Sequence, residues 1–390
     1  MKRERFTVPG IFRLAAALLL FLFSLLILFP APTYTLWMVE IAAAERGHYT
    51  ALVALALLIP GWRRGRLSLI SWAFALAALA IAVTPLVRAY RIGSGLPGKL
   101  DAAFGRPPGQ SLQIAAANEQ PVSLRALVDT EETPGVARTT LGYASRTSGV
   151  LQLDMYRSQA LTTPLPLVVV IHGGSWSGGS RADLPELNHH LAARGYAVAA
   201  VSYRFAPRFP NPAATDDVNA AIDFLKANAD RLVLDASRIA LIGRSAGGHL
   251  ALLSAYTKQD SAIRGVVAFY PPTDQRFGYN NPSKVIKSQR ILRSYLSGTP
   301  VTRPEAYDST SPIKFVSPQT VPTLLIHGTK DELVSVRQSR MLDVRLEQER
   351  RPHLLVELPW ATHGCDFGFT GPCGQISTYA VDRFLAAVMQ

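Results

Sequence analysis

A serine stands between two glycines at the point where an apolar run gives way to a helical pattern. The pentapeptide Gly243-Arg244-Ser245-Ala246-Gly247 follows the apolar run 239–242 and precedes a helix-like stretch that begins at Gly248. A strand that turns sharply into a helix strains the backbone at the corner, and glycines two residues away let neighbouring chain approach closely. The pentapeptide therefore predicts a strand, a tight turn at Ser245 and a helix.

The chain around this turn alternates between short apolar runs and helical patterns. Two alternating runs, 139–145 and 150–156, predict a β-hairpin, and nearly all-apolar strands separated by helices follow it. Strands that are apolar on both faces indicate a parallel sheet covered by helices on both sides. We predict a doubly wound, mostly parallel α/β domain over 139–390, with a short cap at 272–319, where the alternation is interrupted.

The first ninety residues contain three apolar segments, which predict membrane spans at about 11–30, 48–62 and 67–87. The third segment has 21 uncharged residues, enough for a hydrocarbon core about 30 Å thick. The second has only 14 residues between His48 and Arg63, so an interfacial or re-entrant segment is an open alternative. A cleavable signal peptide is the alternative for the first, although two apolar segments follow it.

Basic residues flank these segments and predict their orientation. Three spans place the cluster at 2–5 and the cluster at 63–66 on the cytoplasmic side. The remainder would then lie outside the cytoplasm, tied to a cell membrane such as the inner membrane of a bacterium. Residues 1–100 carry +8 of the net charge of +12. The basic residues therefore indicate the orientation of the membrane segments and do not predict nucleic-acid binding.

The residues between the membrane region and the α/β domain lack sustained periodicity, and we interpret 91–138 as a linker or irregular extension. The chain has two cysteines, Cys365 and Cys373, which enclose a short loop containing glycine and proline. In a domain outside the cytoplasm this pair predicts a disulfide, with two unrelated reduced cysteines as the alternative.

A serine hydroxyl is a weak nucleophile, so the turn at Ser245 has functional meaning only if a base and an orienting acid lie nearby. His363 lies in a loop just after the last predicted strand, and Asp331 follows the strand before that. The order Ser, Asp, His is the one this sheet topology requires. Glu332 and Asp366 are the rival acids.

Backbone amides could stabilise an oxyanion beside the serine. The turn 172–176 follows a predicted strand, and its two glycines allow successive amides to face one pocket. The amide of Ala246, in the first turn of the helix after Ser245, would face the same point.

These features together resemble the α/β-hydrolase superfamily, in particular its hormone-sensitive-lipase-like and feruloyl/acetyl-esterase-like carboxylesterases. The resemblance covers about 139–390 and extends to the segment Tyr203-Arg204-Phe205-Ala206-Pro207. It implies the α/β-hydrolase fold and a catalytic triad of Ser245, His363 and Asp331. Ser245 would attack an acyl carbonyl, His363 would carry the proton, and Asp331 would orient His363.

The same resemblance implies an oxyanion hole made of the amides of Gly174, Ser175 and Ala246. Ser175 stands where the family usually has a third glycine, which retains the amide but can alter the width of the pocket. Trp176, the next residue, is a candidate substrate contact.

The sequence thus predicts a membrane-anchored serine carboxylic-ester hydrolase that acts through an acyl-enzyme intermediate. Its partners would be the bilayer and a small-molecule or lipid ester, and no metal or other cofactor is implied. An amidase or peptidase using the same triad is one alternative, because a triad does not distinguish ester from amide leaving groups. A non-catalytic hydrolase-like binding or sensor domain is the other.

Overall fold

The N-terminal region of the chain is helical. The computed structural model describes residues 8–59, 66–106, 120–128 and 135–390. Five helices precede the sheet in these ranges: α1 (Val8–Leu25), α2 (Tyr34–Glu45), α3 (Gly47–Leu58), α4 (Arg66–Ala82) and α5 (Thr84–Phe104).

The described part of the C-terminal domain contains a sheet of eight strands. They are β1 (Val136–Arg146), β2 (Gly149–Ser158), β3 (Leu165–Ile171), β4 (Ala197–Val201), β5 (Leu234–Arg244), β6 (Ile263–Phe269), β7 (Thr323–Gly328) and β8 (His353–Leu358). Their order is β1-β2-β4-β3-β5-β6-β7-β8. The β1–β2 hairpin and the β2–β4 pair are antiparallel, and the other pairs are parallel. The predicted mostly parallel sheet with an antiparallel start is confirmed.

Strand β3 shows why the central strands are apolar at every position. Leu167, Val169 and Ile171 face one hydrophobic core, while Val168 and Val170 face the other. Successive side chains of a strand point to opposite faces, so a sheet covered on both sides must be apolar throughout. Each face needs helices to cover it, and the chain supplies them between the strands.

The helices that lie between these strands or follow them are α6 (Pro185–Ala193), α7 (Ala213–Ala227), α8 (Ala229–Leu232), α9 (Ala246–Thr257), α10 (Gln275–Asn280), α11 (Ser288–Leu296), α12 (Pro304–Ser309), α13 (Arg337–Gln348) and, after β8, α14 (Pro372–Val388). Helices α10, α11 and α12 lie in the interval 272–319, between β6 and β7. The segment predicted as a cap is therefore a small helical insertion. It is fastened to the domain by hydrogen bonds such as that between Thr310 O and His249 Nε2 (2.7 Å).

Helices α1, α3 and α4 pack together in an arrangement opposite to that of a water-soluble bundle. Their buried positions are small, as at Ala54 and Ala75, whereas large apolar side chains such as Phe12 and Leu69 are exposed. A Cβ on Gly47 would lie 2.5 Å from the carbonyl oxygen of Ala82, so α3 begins in direct contact with the end of α4. Small residues between helices and large apolar residues outside are typical of helices packed in lipid.

Helix length does not support the prediction of three spans. Among the described residues, one helical stretch, Arg66–Phe104, is long and apolar enough to cross a membrane. It combines α4 and α5. Helix α3 has 12 residues, so at about 1.5 Å per residue it is too short for a hydrocarbon core. The basic cluster at 63–66 lies outside the described residues, except for Arg66.

The interval predicted as a linker, 91–138, begins with a helix. Helix α5 continues to Phe104 and packs on α14, with Leu96 and Leu100 buried in the same core as β3. The ring of Phe104 meets that of Phe384 edge-on, with 4.8 Å between centroids. The sequence did not predict helix α5, because glycines and a proline interrupt its apolar stripe. Residues 107–119 and 129–134 lie outside the described ranges.

Replacing Leu100 by alanine tests whether α5 is part of the hydrophobic core. Because Leu100 is buried, the change should lower the free energy of unfolding by about 2–5 kcal/mol. Chemical denaturation of the full chain in detergent would measure this loss. Lys99→Ala, at the exposed neighbouring position, should change it by less than about 0.5 kcal/mol. Equal stabilities of the two variants would contradict the docking of α5.

Candidate active site

Ser245 occupies a strained turn between β5 and α9. Its backbone has φ 55° and ψ −121°, a left-handed conformation that a residue with a side chain rarely adopts. A Cβ on Gly243 would lie 2.1 Å from the carbonyl oxygen of Gly247. A Cβ on Gly247 would lie 2.2 Å from that of Ile171, at the end of β3. The two glycines therefore make the predicted turn possible, and the turn exposes the serine hydroxyl at the edge of the sheet.

The structure brings together the three residues singled out as nucleophile, base and acid. His363 follows β8 and its Nε2 lies 2.9 Å from Ser245 Oγ. Asp331 follows β7 and its Oδ2 lies 2.6 Å from His363 Nδ1. The strands that carry them end at the same edge of the sheet because they run parallel. The arrangement can pass a proton from the serine to the histidine while the carboxylate holds the ring.

The carboxylate of Asp331 is buried and fully hydrogen-bonded. Its Oδ1 accepts hydrogen bonds from the amides of Leu333 (2.9 Å) and Val334 (2.8 Å), and its Oδ2 also lies 3.1 Å from His327 Nε2. Burial by itself would raise the pKa of Asp331, but the charge on His363 and the hydrogen bonds from His327 and His363 lower it to about 2. The carboxylate of Asp331 is therefore ionised at any pH well above 2.

His327 was passed over in the sequence because a histidine at the end of a buried strand has no distinctive pattern. In the structure its Nε2 contacts the same oxygen of Asp331 as His363 does. Its Nδ1 lies 2.7 Å from Ser339 Oγ, which fixes the orientation of the ring. The two histidines thus share one carboxylate oxygen.

Neither rival acid reaches His363. Asp366 is buried and forms an ion pair with Arg244, and it also accepts a hydrogen bond from the hydroxyl of Tyr270. The guanidinium of Arg244 lies over the ring of Phe269, 5.2 Å from its centroid. This pair links the end of β5, next to Ser245, to the segment that follows His363. The backbone carbonyl of Glu332 accepts a hydrogen bond from Ser283, in the cap.

The candidate oxyanion residues lie beside Ser245. Gly174 has φ 113°, and Ser175 and Trp176 both have φ 56°, so the turn after β3 is left-handed over three successive residues. A Cβ on Gly174 would lie 2.2 Å from the carbonyl oxygen of Gly178, which explains the glycine. Ala246 opens α9, where the first amides have no acceptor inside the helix. The backbone amides of this turn and of the first turn of α9 can therefore donate hydrogen bonds to an anion.

Trp176 is buried and mainly shapes the pocket wall. Its ring stacks on Tyr295 with 4.4 Å between centroids, and its Nε1 donates to His249 Nδ1 at 3.2 Å. Burial lowers the pKa of His249 to about 4, so that ring is neutral and can accept this bond. Trp176 lines a cavity of about 70 Å³ under the cap, together with Ser245.

A second and larger cavity opens on the other side of Ser245. It has a volume of about 570 Å³, and it is lined by Ser245, His363, Gly174 and Ser175 and, unexpectedly, by Tyr34 and Trp37 of α2. The indole Nε1 of Trp37 donates to the backbone carbonyl of His363 at 3.1 Å. The sequence could not reveal this contact, because α2 lies in the loop between the spans predicted at about 11–30 and 48–62.

Cys365 and Cys373 are joined by a disulfide just after His363. The amide of Cys373 donates to Glu45 at 2.8 Å, and Trp360 Nε1 donates to the same carboxylate at 3.2 Å. The loop that holds His363 is therefore tied at both ends. In the described ranges no group of three or more His, Cys, Asp and Glu side chains could hold a metal ion.

Comparisons with known proteins agree with this fold. The BD-FAE family model matches residues 153–346. The chain is 32% identical to Esterase LipC of Mycobacterium tuberculosis, over 60% of this chain and 62% of that protein. It is 31% identical to the probable carboxylic ester hydrolase LipM of the same organism, over 60% of this chain and 58% of that protein. The alignments thus span about three fifths of these relatives.

Among solved structures, a bacterial heroin esterase superimposes with a TM-score of 0.59 and 23% identity, over 68% of this chain and 88% of that one. This likeness concerns the fold. The matched family region contains Ser245 and Asp331, and His363 lies beyond it. The region 153–346 thus matches the BD-FAE family model, and the sequence and the fold are similar to those of proteins described as esterases.

Proposed function

We propose that the chain is a membrane-anchored carboxylic ester hydrolase with Ser245 as its nucleophile. The observation that carries the proposal is the continuous chain of contacts from Ser245 Oγ to His363 (2.9 Å) and from His363 to Asp331 (2.6 Å). The relatives named as esterases support ester hydrolysis as the reaction. A serine, a base and an orienting acid at hydrogen-bond distance are the minimum that acyl transfer requires.

In the first half of the reaction, Ser245 Oγ attacks the ester carbonyl carbon and its proton passes to His363 Nε2. The carbonyl oxygen becomes an oxyanion that accepts hydrogen bonds from the amides of Gly174, Ser175 and Ala246. Collapse of this intermediate breaks the bond to the alcohol, which leaves with the proton from His363. The acyl group remains on Ser245.

In the second half, water replaces the alcohol. His363 Nε2 takes a proton from the water as its oxygen attacks the acyl carbon, and the same amides stabilise the second oxyanion. When the bond to Ser245 breaks, the proton returns to Ser245 Oγ and the carboxylic acid is released. Asp331 stays ionised throughout and stabilises the imidazolium form of His363.

The membrane part of the proposal rests on the surface of the N-terminal helices. Large exposed apolar side chains on α1, α3 and α4, with small residues between the helices, suit a lipid environment. We propose that the stretch Arg66–Phe104 provides the main anchor through α4, with α1 and α3 packed beside it. A hydrolase domain outside the cytoplasm belongs to this proposal.

Ser245→Ala removes the nucleophile and should reduce kcat for 4-nitrophenyl butyrate by about 10³-fold or more. Ser261→Ala, at an exposed serine that lines neither cavity beside Ser245, is the matched control and should keep full activity. A fluorophosphonate probe should label the wild type and the control but not Ser245→Ala. Unchanged hydrolysis in Ser245→Ala would refute the mechanism, and faster turnover of a peptide amide would favour the amidase alternative.

Asp331→Asn should lower kcat by about 10⁴-fold, because the neutral amide no longer stabilises the imidazolium. It should also alter the acid stability of the protein. The folded pKa of about 2 lies below the ordinary value of 3.8, so the carboxylate stabilises the fold above about pH 4. This contribution is lost as the pH falls toward 2.

Thermal unfolding between pH 2 and pH 5 measures that contribution. The wild type should lose more stability than Asp331→Asn as the pH falls over this interval. Asp230→Asn, which changes an exposed carboxylate, should follow the wild type. Parallel curves for the wild type and Asp331→Asn would contradict the lowered pKa.

A topology reporter tests the proposed orientation. Alkaline phosphatase, which folds only outside the cytoplasm, should be active when fused after Gln390. The proposed topology predicts low activity for a fusion made after Leu58, at the end of α3. An inactive fusion after Gln390 would place the hydrolase domain in the cytoplasm and overturn this part of the proposal.

A further inference from the structure

Helix α2 is fixed against the active site by contacts along its whole length. Trp37 and Ile41 pack against Leu333 and Val285 of the hydrolase domain. Both also approach Gly364, where an added Cβ would lie 3.6 Å from each of them. At the end of the helix, the buried carboxylate of Glu45 accepts hydrogen bonds from two groups of the domain. Helix α2 is therefore a fixed wall of the site.

The first residues of α2 line the larger cavity. Trp37 is 7% exposed and covers the cavity from the side of His363, whereas Tyr34 is 55% exposed and lies at the rim. Their rings are 5.0 Å apart and tilted. Phe367, which is 59% exposed, lines the same cavity. The cavity thus opens to the outside between aromatic side chains.

The other walls of this cavity are also rich in apolar side chains, including Ile286, Ile291 and Leu333. Its volume of about 570 Å³ falls in the range of sites that enclose whole organic ligands. The cavity under the cap is far smaller, about 70 Å³, and Ser245 and His363 line both. An ester bound at Ser245 therefore has space for one short arm and one large apolar arm.

The segment that follows α1 is apolar and exposed, and it contacts the loop that carries Asp331. Leu28 and Phe29, which follow α1, are exposed, as are Leu36 and Met38 on α2. The ammonium group of Lys330, next to Asp331, donates to the carbonyl of Ile27. The end of α1 therefore contacts the loop that carries Asp331. If α1 lies in lipid, the cavity opens at the surface of that lipid.

We propose that helix α2 binds the apolar arm of the substrate, and that the substrate is a lipid ester that reaches Ser245 from the bilayer through the Tyr34–Phe367 rim. The proposal rests on the ester hydrolase function inferred above. In a bilayer the ester groups of the lipids lie near the interface. Their acyl chains would lie beside the apolar rim of the cavity. A chain that enters between Tyr34 and Phe367 would contact the apolar side chains that line the cavity, which also contains Arg181 and Asp183.

The test compares two substrates with the full chain reconstituted in phosphatidylcholine vesicles. One substrate is 4-nitrophenyl laurate held in the vesicles, and the other is 4-nitrophenyl butyrate in solution. The measured quantity is the ratio of kcat/KM for laurate to kcat/KM for butyrate. The wild type should favour laurate, and Tyr34→Ala should lower the ratio by about tenfold, because it removes apolar contact along the long arm only.

Tyr90→Ala is the matched control, since Tyr90 is an exposed tyrosine on α5 that does not line the cavity. It should leave the ratio unchanged. Trp37→Phe keeps an aromatic wall but loses the hydrogen bond to the carbonyl of His363. It should therefore lower kcat for both substrates equally and preserve the ratio, whereas Trp37→Ala should lower the ratio as Tyr34→Ala does.

The experiment distinguishes failure of the role proposed for α2 from failure of the proposed function. A wild type that favours butyrate, or a ratio in Tyr34→Ala equal to that of the wild type, would overturn the role of α2. A ratio that falls as far in Trp37→Phe as in Trp37→Ala would show that the ring does not form the wall. Hydrolysis of butyrate that does not depend on Ser245 would instead overturn the proposed function itself.

Discussion

The site depends on the close approach of two neighbouring strand ends. Gly247, in the first turn of α9, lies so near the carbonyl of Ile171 that a single added carbon would be 2.2 Å from it. This contact holds the end of β3 and the turn after β5 at a separation that leaves no room for a side chain. The strained backbone of Ser245 persists because both strands are buried and cannot move apart. The turn after β3, which carries the proposed oxyanion amides, is brought beside Ser245 by the same contact.

The electrostatic arrangement follows from this geometry. Parallel strands β5, β7 and β8 deliver Ser245, Asp331 and His363 to one edge, and each of the three residues sits on a separate loop. Loops can vary in sequence, so contacts with other parts of the domain must fix the positions of these three residues. For Asp331 that support comes from two backbone amides and His327, and for the loop of His363 it comes from the disulfide and Trp37. These contacts orient the reacting groups in the folded protein before any substrate arrives.

Sequence reasoning succeeded where a signal was local. The pentapeptide around Ser245 and the apolar strands predicted the fold, because each strand and its following turn are neighbours in the chain. It failed for Trp37 and for α5, whose partners are remote. Trp37 meets His363 across 326 residues, and hydropathy alone cannot distinguish a loop between spans from a helix seated on a distant domain. His327 was missed because its role depends on a carboxylate that becomes its neighbour only when the loop after β7 folds.

The contact between Trp37 and the carbonyl of His363 also bears on when the protein becomes active. A ribosome makes the chain from its N-terminus, so α2 is complete long before His363 has been synthesised. The histidine then has to reach a helix that is already in place, and its loop is closed by a cysteine pair that needs an oxidising environment. Assembly in this order means that the site is complete only after the C-terminal part of the domain has folded onto α2.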